Sequence, residues 1–149
     1  MLTRLRLLAV LVVAGLLSAF VLFSLASSHR AALEGAAGSL AHGLRHARSL
    51  ALNENRPAAL IIDIVKREFR VPDGRYVRTL PGQIDIVLYT ARSGRTSQRG
   101  GTIRFFPDGS STGGRITLTS DGARYFVNTD WLTGEVSVIA SVVERAMGR

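Results

Sequence analysis

The chain has 149 residues, with 46% hydrophobic and 20% charged residues, a composition of folded rather than disordered proteins. There are no cysteines, which excludes disulfides, thiol nucleophiles, redox motifs and thiolate metal sites. Nineteen Lys and Arg against eleven Asp and Glu give a net charge of +8. That balance suits phosphate, lipid headgroups or an acidic protein partner, although an Arg-heavy composition alone gives the same number without a binding role.

Leu7 to Ala26 carries no charge. At 1.5 Å per residue this run covers roughly 30 Å as a helix, the thickness of a bilayer's hydrocarbon core. Arg4, Arg6 and the terminal amine precede it, and no comparable positive cluster follows before Arg45. The positive-inside rule then keeps the N-terminus in the cytoplasm and exports the rest. Ser24-Leu25-Ala26 offers small residues of the kind signal peptidase uses, but cleaved signals have apolar cores of roughly 7–15 residues, so a retained anchor is expected. About 120 residues lie beyond the span, enough for one domain with one core.

From Ala31 to Leu52 the apolar positions are Leu33, Ala37, Leu40, Leu44, Ala47 and Ala51, spaced four and three apart. This is one stripe of an amphipathic helix, with Glu34, Arg45 and Arg48 off it. Gly35, Gly38 and Gly43 each weaken a helix by about 1 kcal/mol, so packing must hold the segment, and they can mark close backbone approach. Asn53 to Pro57 stops the helix.

The remainder reads as strands and turns. Strands are expected at Ala58–Asp63, Glu68–Val71, Ile84–Thr90, Thr102–Phe106, Arg115–Thr119, Arg124–Asn128 and Val136–Ile139. The first two form a hairpin around Lys66-Arg67. Turns fall at Pro72-Asp73-Gly74, Pro81-Gly82, Asp121-Gly122 and Thr133-Gly134, with a loop from Arg92 to Gly101. Such spacing implies an antiparallel sheet or sandwich, and the whole is an α+β chain: 1–29 membrane helix, 30–56 amphipathic continuation, 57–149 β domain.

Signs of chemistry are sparse. Gly109-Ser110-Ser111-Thr112-Gly113 fits G-x-S-x-G, but the nucleophile elbow needs a helix after it and a later histidine, and His29, His42 and His46 all lie upstream. His42 and His46 stand at metal-binding spacing, yet Gly43 occupies the place of the zincin glutamate and no third ligand is near. The carboxylates Asp63, Glu68, Asp73, Asp85, Asp108, Asp121, Asp130 and Glu135 are scattered, mostly in turns where Asp is favoured. A membrane-tethered enzyme would have to draw a pair of them into a cleft. No cofactor or metal is expected. Trp131 is either a partner anchor or an ordinary core or sheet-edge residue. Arg92, Arg95 and Arg99 make the long loop a candidate phosphate contact, without interleaved aromatics for stacking.

An apolar N-terminal helix continuing into an amphipathic one and capped by a β domain resembles type IV pilins and pseudopilins. Leu2-Thr3-Arg4-Leu5-Arg6 followed by an apolar tail through Ala14-Gly15-Leu16-Leu17 is similar to their Gly-Phe-Thr-Leu-Leu-Glu signature and its tail. Leu44-Arg45-His46-Ala47-Arg48-Ser49 with Asn55-Arg56-Pro57 resembles the minor pseudopilin H subgroup of type II secretion. So do the block from Phe105 to Gly114 (FFPDGSSTGG) and Trp131-Leu132-Thr133-Gly134.

The resemblance implies a pilin-like fold and a structural subunit of a periplasmic filament, held first in the inner membrane. Its partners would be other major and minor pseudopilins, and it would join the tip complex to the shaft. It also implies processing by prepilin peptidase at Met1 and Leu2, although Met1 stands where the family has glycine. The family's glutamate, which neutralises a neighbour's terminal amine, falls on Arg6. The alternative within the same architecture is a pilus or competence minor pilin that contacts DNA through Arg92, Arg95 and Arg99. Related pilins carry basic C-termini, and Arg145 and Arg149 are a sparse version.

Overall fold

The computed structural model describes residues 1–90 and 95–142, without the side chains of residues 25–27, 95 and 142. A single helix, α1, runs from Leu2 to Asn53 and is about 78 Å long at the standard rise. It ends where the Glu54 N–H donates to the Leu50 carbonyl and Asn55 turns to φ +50°, just before Pro57.

Among the described residues nine strands follow: β1 Ala58–Asp63, β2 Glu68–Val71, β3 Tyr76–Thr79, β4 Asp85–Thr90, β5 Arg95–Ser97, β6 Gly100–Phe105, β7 Gly114–Ser120, β8 Ala123–Thr129 and β9 Val136–Val142. They form two antiparallel sheets, ordered β3-β2-β1-β6 and β5-β4-β7-β8-β9. The β1–β2 hairpin turns at Arg67, whose φ is +55°, and β7–β8 turns at Asp121 (φ +46°) and Gly122 (φ +76°). Two successive positive φ angles make the tight turn whose twist suits a hairpin.

Two elements differ from the sequence reading. The loop expected from Arg92 to Gly101 contains β5 and the start of β6, because this stretch pairs with β4 and then crosses to β1 in the other sheet. β3 was also unforeseen: its Val77, Arg78 and Thr79 are all exposed, so no buried alternation marks it.

Both sheets pack on α1. The six expected stripe residues of α1, Leu33 to Ala51, are fully buried, joined by Ala36 and Ala41. They share one core with Leu60, Phe69, Leu88, Ile103, Phe105, Ile116, Leu118 and Val127. Of the helix glycines, only Gly43 meets a close neighbour: an added Cβ would lie 2.8 Å from Tyr76 Cε1 and 3.1 Å from Leu60 Cδ1. Gly35 and Gly38 face open space. The sheets meet at Gly101 and Gly114, where a Cβ would press on Leu88 Cδ2 (2.7 Å) and Ile103 Cδ1 (3.1 Å).

Candidate assembly surface

The first half of α1 is bare. Leu7, Leu8, Val10, Leu11, Val12 and Val13 point to different sides of the helix and all are more than half exposed. Leaving such side chains in water costs roughly 1.5–3 kcal/mol each, so this segment requires lipid or other helices around it. Its polar interruption is satisfied internally, as the Ser18 hydroxyl donates to the Ala14 carbonyl at 2.8 Å. Met1, Leu2 and Arg6 are exposed at the start of this bare helix.

The second half of α1 is clasped along its length. His29 Nδ1 meets the Asp121 carboxylate at the β7–β8 turn. Farther along, His46 Nε2 lies 2.9 Å from Asp73 Oδ2 in the β2–β3 turn. Tyr76 is the hub of that corner: its hydroxyl donates to the Ser39 carbonyl at 2.7 Å, and its ring abuts those of His42, His46 and Phe69. His42 and His46 therefore serve packing, and among the described residues no group of three potential metal ligands assembles.

Arg45 and Arg48, which the sequence places off the apolar stripe, are structural donors. Arg45 donates to the Val136 carbonyl and Arg48 to the Thr133 carbonyl, each at 3.1 Å. Spacing does not reveal this role, although both belong to the Leu44–Ser49 motif of the resemblance, because their acceptors are backbone carbonyls some ninety positions away.

The FFPDGSSTGG block is a folded corner. The Phe106 N–H donates to the Ser110 carbonyl, and Asp108 accepts from both the N–H and hydroxyl of Ser110. Those bonds, from the hydroxyl first, hold the Asp108 carboxyl below the usual carboxylate range. The Ser111 hydroxyl donates to the Asp130 carbonyl at 2.7 Å, and its N–H to the Trp131 carbonyl at 2.8 Å. Both serines are thus occupied in holding turns.

This corner presents Trp131 and Leu132 to solvent, at 62% and 63% exposure. The Asp130 carboxylate fixes their loop by accepting from the N–H groups of Thr133 and Leu132 and the Thr133 hydroxyl, and the Thr133 bonds lead in lowering its pKa. This exposure excludes the core placement among those the sequence left open for Trp131. Beside it an open groove of about 720 Å³ runs between Tyr89, Arg115, Asn128, Asp130 and Glu135.

The basic stretch is less organised as a site. Arg92 lies outside the described residues, as do Arg145 and Arg149. Arg95 opens β5, and Arg99 is exposed in the turn before β6 with its carbonyl accepting the Ile64 N–H. Of the scattered carboxylates, Asp63, Asp73, Asp108 and Asp130 each accept local backbone N–H groups, and Asp130 and Glu135 both line the groove.

Comparison with known proteins bears on this arrangement. The family model described as Type II transport protein GspH matches residues 36–133, which include the buried half of α1 and most of the β domain. The chain is 36% identical over 136 residues to the type II secretion system protein H of Xanthomonas campestris pv. campestris, covering 91% of this chain and 79% of that protein. Its fold is similar to the type IV minor pilin FimU of Pseudomonas aeruginosa, with TM-score 0.58, 13% identity, and 74% and 90% of the two chains covered. It is also similar to the minor pseudopilin EpsH from the type 2 secretion system of Vibrio cholerae, with TM-score 0.56, 14% identity, and 72% and 95% covered. The chain belongs to the type II transport protein GspH family.

Proposed function

We propose that the chain is a minor pseudopilin, a structural subunit of the type II secretion pseudopilus that serves protein export across the outer membrane by binding rather than catalysis. The observation that carries this reading is a single helix, Leu2–Asn53, bare and apolar in its first half and buried under two sheets in its second. Such a helix can be stored in a bilayer and later packed among the helices of other subunits, while the β domain stays outside.

In this reading residues 1–29 are the membrane segment, 30–56 the helix core of the exported part, and 57–149 the β domain. The N-terminus lies in the cytoplasm beside the inner membrane, and the β domain in the periplasm. The partners are the other major and minor pseudopilins, with prepilin peptidase acting between Met1 and Leu2. Arg6 supplies a cation where the family's carboxylate would neutralise a neighbour's amine, so an acidic group from an adjacent subunit is needed to bury it.

Deleting the gene should stop export of secreted enzymes, and the tagged full-length chain should co-purify with the other pseudopilins. Undiminished export from the deletion strain would overturn this reading.

A further inference from the structure

β9 is an edge strand, and its outward hydrogen-bonding groups can be assigned. At the β8–β9 turn the Asp130 N–H donates to the Glu135 carbonyl. Antiparallel pairs alternate, so Ser137, Ile139 and Ser141 exchange bonds with Asn128, Phe126 and Arg124, while Val136, Val138 and Ala140 turn their N–H and C=O away from β8. The Arg45 guanidinium sits on the Val136 carbonyl, as this alternation requires. Among the described residues nothing pairs with the outward groups of Val138 or Ala140, and Ser137 to Ala140 are all exposed.

Exposed edges are normally defended by charge, proline, bulges or shortness. β9 has none of these: it reads Val-Ser-Val-Ile-Ala-Ser-Val and pairs with β8 over seven unbroken positions. The other edges differ. β5 has three residues, β3 carries Arg78, and the Arg104 carbonyl of β6 is already taken by the Thr112 N–H.

The edge also has a direction and a charge. β8 starts beside the Asp121 turn at His29 and ends at the loop held by Arg48, so it rises along α1 away from the membrane, and β9 descends. An antiparallel addition to β9 must therefore rise. Two upright copies would bring β9 against β9 in parallel, and each copy carries +8, which argues against self-pairing. Arg45 stands at the upper end, and Arg124, opposite Ser141 at the lower end, has a buried Nε with no hydrogen-bond partner among the described residues. Cations at both ends suit an acidic occupant.

The geometry points to strand addition: β9 binds an extended, net-acidic segment of a second protein, running antiparallel to it and away from the membrane. This rests on the pseudopilin reading, in which another subunit of the same filament supplies the segment.

The test uses the full chain in detergent micelles, alone and mixed with the other pseudopilins of its own system, with amide hydrogen exchange followed at Val138 and Ala140. Exchange should be fast in the isolated chain and at least ten-fold slower in the mixture. Val138→Pro deletes an outward N–H that the β8 ladder does not use, so it should fold yet bind at least ten-fold more weakly. Slow exchange already in the isolated chain would mean that its own residues cover the edge, overturning the inference. So would a complex that forms without slowing these amides, or with undiminished affinity for a folded Val138→Pro chain; either leaves the pseudopilin reading intact. Failure of any complex to form would overturn both.

Discussion

His46 Nε2 and Asp73 Oδ2 lie 2.9 Å apart, joining α1 about two turns before its C-terminal end to the β2–β3 turn. The pair is flanked by Tyr76, which binds the same helix two turns earlier through Ser39. Together they close the first sheet over the helix, as His29 and Asp121 do for the second sheet nearer the bare segment.

Burial acts to raise the Asp73 pKa, but the His46 side chain, the Arg75 N–H and the charges of both residues outweigh it and hold the carboxyl below its ordinary value. A depressed carboxylate stabilises the fold above its unfolded pKa of about 3.9, and that contribution disappears as pH falls through the lower folded value. Asp73→Asn should therefore lower the thermal midpoint of the full chain in micelles at pH 5. The gap to wild type should shrink as the pH is taken below about 4. A gap that is constant down to pH 2 would contradict the assignment.

The glycines separate into two kinds. Gly134 has φ +65°, and a Cβ there would lie 2.1 Å from the Gly109 carbonyl oxygen, so Gly134→Ala strains the backbone and drives apart the corner that presents Trp131. A loss of about 2–4 kcal/mol is expected from strain and clash together. Gly38→Ala adds a methyl to open space within a helix and should stabilise the isolated chain by up to about 1 kcal/mol. Denaturant unfolding of both variants checks the opposite signs.

Much of this arrangement is legible in the residues because it is periodic. The Leu33 to Ala51 stripe, the uncharged Leu7–Ala26 run and most strands follow from spacing alone, since burial imposes 3.6- and two-residue repeats. β3 and β5 were hidden because neither buries a clear alternating face. The assembly surface was partly hidden for another reason. Which face of β9 is open depends on which strand pairs with it, and the donor roles of Arg45 and Arg48 depend on carbonyls that only folding brings near. Trp131 could be named from the sequence, but its exposure comes from the Ser111 and Asp130 bonds that fix its loop.

Arg48 joins α1 to two turns at once. Its guanidinium donates to Thr133, and a Cβ at Gly134 or Gly109 would fall 3.0 Å from its Nε or 3.5 Å from its Nη2. Arg48→Ala removes both this bond and the packing of the long stem, for an expected loss of about 1–2 kcal/mol. Arg48→Lys retains the charge but lacks the planar fork, so it should recover only part of that loss. Full recovery by lysine would show that charge alone matters at this position.

The arginines of the β4–β6 connection distinguish a secretion subunit from a DNA-contacting pilin. Replacing Arg92, Arg95 and Arg99 by Ala takes three cations from a chain whose net charge is +8. Any phosphate contacts they make would contribute a salt slope of about −0.9 per contact to duplex DNA affinity. For a pseudopilin we expect the triple variant to support export at the wild-type level. The full chain in micelles should then bind duplex DNA only weakly, with a salt dependence spread over the whole molecule. A steep dependence that the triple substitution abolishes would instead locate a phosphate site there, and would point to DNA uptake. The two outcomes separate because steep dependence on three residues requires them to converge on one duplex, whereas a diffuse net charge loses only its share when three cations are removed.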